Sequence, residues 1–400
     1  MPSLYDDASL IMYPSGYKSG KIYCQKPTDG SGDLTFSRAS TATRVNSSGL
    51  IESVASNVPR IDYTGGGCGK LLLEPQRTNL VTYSEDFSNA QWVKSGVSIV
   101  SNDATSPDGS TTATKIIEDS STGFHEIEDE AIVVTTIANY STTIYVKAGT
   151  RNWVRVSSDN GGYAYFKLSD ATIGITLNAT ATATAMANGW VKCTITFSPT
   201  SGTGSVSIRL ATGDGVTSYT GDGTSYVHAW GAQLELGFYP TSIIPTAGST
   251  VTRLVDVPSL SGLTTNGIIG ATQGTFYMYI KNIKVGGTST FPLLAIGDNS
   301  SNNIYCFYLI GGDVQIFVRQ GGSTITSYDP NLLTMKVAFQ LSASGIKIFV
   351  NGAMVNSSAT AYNGSITQLQ GVTQMGGEIQ EMYMSNIALS DAECINLTTI

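Results

Sequence analysis

The chain has 400 residues, of which only 13% are charged, and it carries a net charge of −8 with a pI near 4.8. That length suits two or three domains, and the acidic balance excludes the basic footprint that nucleic-acid binding needs. No apolar run approaches membrane-spanning length, so membrane insertion is not expected.

Charged residues stand at about half their usual share of roughly 25%. Glycine (43 residues), serine and threonine recur, and apolar alternation is frequent while amphipathic helices are scarce. The expected class is therefore mostly β, with sheet surfaces dressed by hydroxyls and amides. Such surfaces suit a protein that meets sugars or other proteins outside a cell. Five cysteines are scattered without CxxC spacing, which argues against a zinc site or a disulfide framework. They read as small buried hydrophobes of a chain folded in a reducing cytosol.

Residues 1–70 hold short apolar pieces such as Leu10-Ile11-Met12 and Leu34-Thr35-Phe36, separated by Pro14, Gly16, Gly20 and Pro27. By itself this segment buries too little, and it reads as an extended arm that orders on a partner. Arg38, Arg44 and Arg60 make it the most basic part of the chain. They either brace local turns or form an anchoring surface for an acidic partner.

Residues 71–253 predict the first complete domain, with strands at 97–102, 112–117, 131–136, 142–148, 153–157, 163–168, 174–178, 190–197, 205–211 and 226–230. No helices intervene, so a sandwich is expected rather than a βαβ fold. After Gly231 and Gly237, Pro240 and Pro245 turn the chain into an extended strap. Residues 254–400 predict a second sandwich, with strands at 274–284, 291–297, 304–310, 314–320, 334–341, 345–350 and 378–385. Asn351-Gly352 makes a hairpin turn, and a short helix follows Ser390 with Glu393 in the capping-box position.

Five stretches carry a family resemblance. The run WGAQLE…YPTSIIPT…TR within 226–253 and the run LLLEPQRTNLVTYSEDFSNAQW at 71–92 resemble the end and the start of the carbohydrate-binding-module-like jelly rolls of bacteriophage virion proteins. The stretch LTFSRASTATRVNSSGLIESVASNVPRIDY at 34–63 is similar to virion sequence that commonly precedes that jelly roll. The strand running into Asn351-Gly352 and the terminal LSDAE turn resemble laminin-G/concanavalin-A-like domains.

The resemblance implies two jelly-roll sandwiches in tandem behind an anchoring arm, in a head or tail fibre. Such a fibre is made in the bacterial host cytoplasm and displayed on the virion surface. The expected partners are other copies in a homotrimer, capsid or tail proteins through the arm, and host-surface polysaccharide. The alternatives are a purely structural or decoration protein and a polysaccharide depolymerase.

The best binding candidate is a ribbon on two neighbouring strands. If Asp159-Asn160-Gly161 closes a three-residue hairpin, Arg155 opposes Tyr165 and Trp153 opposes Lys167, with Tyr163 beside them. Flat rings suit the C–H face of a pyranose, and cations and amides suit its hydroxyl and acidic groups. The competing readings are a subunit contact or, for Trp153, the core. The acidic run Glu126, Glu128, Asp129 and Glu130, with its three glutamates on one strand face, suggests paired-carboxylate hydrolysis. It lacks the aspartate between two glutamates found in concanavalin-A-fold glucanases, so no catalytic residues are expected. Asp214, Asp222 and Asp298 (the last with Asn299, Asn302 and Asn303) sit in loops that either hold structural calcium or make ordinary turns. No other cofactor is expected.

Overall fold

The computed structural model describes residues 4–136, 138–284, 293–298, 300, 303–310, 313–330, 332–371 and 375–400. They form antiparallel β-sandwiches with jelly-roll-like pairing, and strands dominate throughout. Two compact units result. The composite unit gathers residues 1–47, 54–76 and 254–400, and the inserted unit gathers 48–53 and 77–253.

The composite unit corrects the expected arm. Leu10–Met12 pairs with Gly376–Ser385, Leu34–Ser37 with Val257–Ser261, and Lys70–Leu73 with Gly376–Ser385. Leu10, Met12, Leu34 and Phe36 are buried in the same core as Phe276, Met278, Phe339 and Ile348. The short apolar pieces are thus sheet strands whose partners lie hundreds of residues away. The expected boundary at residue 70 also moves: Lys70–Leu73 and the turn to Gln76 belong to this unit, and the inserted unit begins at Arg77.

The predicted strands of the C-terminal third form as expected, including Gly345–Val350 running into the Asn351 turn. Phe291 and Pro292, at the start of one predicted strand, lie outside the described residues. Ser390 caps the helix Asp391–Thr398, and the Glu393 side chain closes the capping box on its backbone N–H. Leu389 and Cys394 seat that helix against Tyr277, Ala338 and Phe349.

The inserted unit is a sandwich of twelve main strands. In chain order they are β1 (Trp92–Ser95), β2 (Val97–Ala104), β3 (Ala113–Glu118), β4 (Glu126–Val133), β5 (Tyr140–Ala148) and β6 (Trp153–Ser158). There follow β7 (Gly162–Lys167), β8 (Thr172–Leu177), β9 (Ala179–Ala185), β10 (Trp190–Phe197), β11 (Thr203–Ala211) and β12 (Tyr226–Leu236). The front sheet runs β1-β4-β11-β6-β7-β8 and the back sheet β2-β3-β12-β5-β10-β9. Alternation fixes the inner faces: Ile127, Val154, Val156, Phe166, Val206 and Ile208 from the front meet Ile144, Val146, Cys193, Ile195 and Val227 from the back.

The acidic run lies on a strand as expected, β4, in which Ile127 alternates inward between Glu126 and Glu128. Two predictions shift here. The alanine–threonine run β9 pairs with β10 although it lacks large apolar residues. The strand expected to stop before Gly231 continues to Leu236. Gly231, at φ 62°, makes a bulge that switches the inward residues from Val227 and Ala229 to Ala232 and Leu234.

The strap returns along the start of the unit, with Val251–Arg253 paired to Arg77–Asn79. Asn79 is fully buried. Its amide donates to the carbonyls of Ala232 and Ile244 at 3.1 and 2.9 Å, while its oxygen accepts from the backbone N–H groups of Val81 and Leu234. Gln233 accepts from the Ile244 N–H at 2.7 Å, and Glu235 accepts from the Thr241 N–H and hydroxyl. The QLE, YPTSII and RTN motifs are therefore the polar clasp that closes the sandwich.

Candidate functional site

The hairpin between β6 and β7 forms with the register the sequence suggests. Trp153 opposes Lys167, Arg155 opposes Tyr165, and Ser158 opposes Gly162 across the loop Asp159-Asn160-Gly161. Asn160 takes a left-handed φ of 60°. Added side chains at Gly161 and Gly162 would collide with the Phe197 ring and with the Leu177 carbonyl, so the loop depends on glycine at both places. The tip is held by neighbouring loops: the Thr200 N–H and hydroxyl donate to the Asn160 carbonyl, and the Asp159 N–H donates to Ser205.

The five ribbon residues share the outer face of the front sheet but have different surroundings. Arg155 and Tyr163 line an open pocket of about 200 Å³ together with Ser158, Asp159, Asn160, Gly161, Gly162, Asn178 and Thr200. The Arg155 guanidinium lies 4.2 Å from the Tyr163 ring centroid. Tyr165 is only 4% exposed. Its ring meets Tyr163 edge-on at 5.8 Å and its hydroxyl reaches Thr217, so it supports the pocket from below and offers no ring face to a ligand. Trp153 and Lys167 are half-buried and lie off the pocket, with Lys167 paired to Asp170 at 2.7 Å.

Charge on this face is arranged around Arg155. On one side Arg209 gives both Nε and Nη2 to Glu126 at 2.6 Å and stacks on Phe124. Arg155 itself has no ion pair or hydrogen bond to any described residue, and its Nε is buried without an acceptor. Burial, and then the like charge of Arg209, lower its pKa from the ordinary arginine value. Glu128 is 9% exposed and has one oxygen without a donor. Burial, followed by the charges of Asp159 and Glu126, pushes its carboxyl up to about 7 against the opposing hydrogen bond from Ser205. Asp129 is buried and accepts from Gln91.

The remaining candidates are turn and scaffold groups. Asp214 accepts from the Ile175 N–H at 2.8 Å. Asp222 accepts from Thr224 and Ser225, whose hydrogen bonds hold its carboxyl far below the usual range. Asp298 accepts from Ser300 and Asn303, while Asn299 and Asn302 lie outside the described residues. Among the described residues no three acidic, histidine or cysteine side chains converge on a metal position.

The arginines of the expected anchoring arm require a correction. Arg38 and Arg60 are 1% and 0% exposed. Arg38 donates to Asp256 at 2.9 Å, and Arg60 bridges Asp256 and Glu74. They brace the composite core and cannot meet a partner. Arg44 is half-buried and stacks on Tyr17 at 5.4 Å. Of the described thiols, Cys193 and Cys394 are buried as expected, whereas Cys68 is exposed.

Sequence reasoning missed Asp159, Asn178 and Thr200 as pocket residues, and it weighed Glu128 within the acidic run without its neighbour Asp159. The Asn160-Gly161-Gly162 turn was the one local signal. Asn178 and Thr200 come from other loops, and only the fold brings them in.

No protein-family pattern and no curated protein sequence matches the chain. It is distantly similar to carbohydrate-binding jelly rolls and lectin domains among solved structures. The CBM40 of Ruminococcus gnavus IT-sialidase, bound to α2,3-sialyllactose, is 21% identical over 33% of this chain and 84% of its own, with a TM-score of 0.26. A botulinum neurotoxin type C structure, whose cell entry depends on interaction with two ganglioside molecules, is 9% identical over 36% of this chain and 40% of its own, at 0.28. Sheep galectin-11 with glycerol is 12% identical over 32% and 95%, at 0.22.

Proposed function

We propose that the inserted unit is a glycan-binding module that works without catalysis, and that the chain is an adhesin or fibre on the surface of a phage particle. The observation that carries the binding reading is the pocket at the β6–β7 hairpin. Arg155, Tyr163, Asn160, Asn178 and Thr200 converge there on a rigid loop, combining ring, amide, hydroxyl and cation as a sugar requires. The virion assignment rests on the sequence resemblance at 34–63, 71–92 and 226–253. In a homotrimer, several weak pockets on one particle would give strong attachment to host polysaccharide.

The paired acids Glu128 and Asp159 favour a second reading, a polysaccharide depolymerase, because a carboxyl titrating near 7 suits a general acid. Glu128, however, does not line the pocket, so it stands behind Asp159 instead of facing a substrate. Binding of the full chain to an array of bacterial surface glycans tests the first reading. Loss on Tyr163→Ala is the expected result, and silence across the array overturns it. Oligosaccharide released from host capsule by the wild-type chain, and lost in Glu128→Gln, would replace binding with hydrolysis. Electron microscopy of particles labelled on this chain tests placement on the virion.

A further inference from the structure

The glycan reading leaves open what kind of sugar the pocket takes. Resting on that reading, we infer that the pocket takes a carboxylate-bearing sugar, with the ligand's carboxylate on the guanidinium of Arg155. The argument is one of unmatched charge. The neighbouring cations on this face are balanced: Arg209 by Glu126 at 2.6 Å and Lys167 by Asp170 at 2.7 Å. Arg155 is held against Tyr163 with its Nε buried, and no described residue gives it an acceptor. Asp159 lines the same pocket yet forms no ion pair with it.

A half-buried guanidinium that has no carboxylate of a described residue hydrogen-bonded to it, beside the like charge of Arg209 and with Glu126 already engaged by Arg209, is unfavourable. It persists here because β6 is fixed from both sides, by β11 and β7. Its planar fork matches a carboxylate through two parallel hydrogen bonds, stronger than bonds to neutral hydroxyls. Stacking on Tyr163 fixes the fork's orientation before a ligand arrives, which lowers the entropy lost on binding. Asp159 and Asn160 at the hairpin tip, with Asn178 and Thr200, supply acceptors and donors for the ring hydroxyls of the same sugar.

Hexuronic acids and sialic acids both present such a carboxylate, and the experiment separates them. The full chain is tested by biolayer interferometry on immobilised polygalacturonate, polysialic acid, the carboxyl-reduced form of each, and dextran sulfate. The wild type is expected to bind one of the two acidic polymers at least about tenfold more tightly than its reduced form, the size of one charge-assisted contact. Arg155→Gln is expected to bind the acidic polymer no better than the wild type binds the reduced one, and to show no preference between the acidic polymer and its reduced form. Arg155→Lys, which keeps the charge and loses the fork, should restore only part of the affinity. Melting curves matching the wild type show that the variants are folded.

Equal wild-type binding to the acidic and reduced polymers, with Arg155→Gln silent and Tyr163→Ala weakened, overturns the carboxylate inference and leaves glycan binding standing. Equally strong, Arg155-dependent capture by dextran sulfate overturns it as well, since charge alone then suffices. Binding to none of the polymers overturns this inference, and silence on the wider array would remove the glycan reading with it.

Discussion

Arginines in the two units are treated in opposite ways. In the composite unit Arg38 and Arg60 are sealed from solvent, and Asp256 and Glu74 answer both guanidinium groups. In the inserted unit Arg155 is half-open, lines a pocket, and has no hydrogen bond or ion pair to a described residue, although the charges of Arg209 and Glu126 both reach it. A buried arginine bonded to carboxylates holds parts of the chain in register. An unpaired one on a rigid strand is a group kept for something that is not yet there. The difference lies in the partners.

The largest effect should come from breaking the paired set. Asp256→Ala leaves two buried guanidiniums without their shared carboxylate and removes the acceptor of the Glu74 N–H. The expected loss is about 3–5 kcal/mol of unfolding free energy, measured by urea denaturation. A loss under about 1 kcal/mol would mean that solvent screens this network and that the comparison is misdrawn.

Asn79→Ala tests the corresponding clasp in the inserted unit. The variant leaves the carbonyls of Ala232 and Ile244 and the N–H groups of Val81 and Leu234 without their side-chain partner. A cost of about 2–3 kcal/mol is expected, with the strap from Phe238 to Arg253 becoming the most protease-sensitive segment. Cleavage elsewhere first would remove the clasp as the closing device.

Glu128→Gln probes the acid behind the pocket. Its folded-state pKa, about 7, lies above the ordinary carboxylate value of 4.5. Between those values the folded chain binds the proton more tightly than the unfolded one, so this group's contribution falls as pH rises from about 4.5 to 7 and is lost above that. The amide is neutral at every pH and can donate to Asp159. The variant should therefore gain about 1 kcal/mol over the wild type at pH 8, after allowance for solvent near the pair, and nothing at pH 4. Parallel pH profiles for the two proteins would contradict the placement of Glu128 against Asp159.

The smallest effect on stability is expected for Arg155→Gln. Removing an arginine that makes no hydrogen bond or ion pair to a described residue and only stacks on Tyr163 should change unfolding free energy by less than about 0.5 kcal/mol, while glycan binding falls. A loss of stability comparable to that of Asp256→Ala would make Arg155 a brace like the others.

Much of this arrangement was legible in local sequence. The β6–β7 register followed from one hairpin loop, because a three-residue turn and a period of two leave one pairing that buries Val154, Val156 and Phe166 together. The terminal helix followed from Ser390 and Glu393. What sequence could not show was pairing across great separations. Leu10 and Leu34 look isolated until Met384 and Val257–Ser261 are beside them. Arg38 and Arg60 look like surface cations until Asp256 arrives from about two hundred residues on. Tyr165 has the same outward parity as Tyr163, and only the loop bearing Thr217 distinguishes buried support from exposed ring.

The most direct test of the central claim is hydrogen–deuterium exchange of the full chain with and without a saturating bound glycan. Slowed exchange is predicted in 153–163, at 176–178 and across 199–205, with the composite unit unchanged. Protection confined to the composite unit, or to the back-sheet strands β2, β3 and β9, would contradict the assignment of the β6–β7 pocket as the binding site.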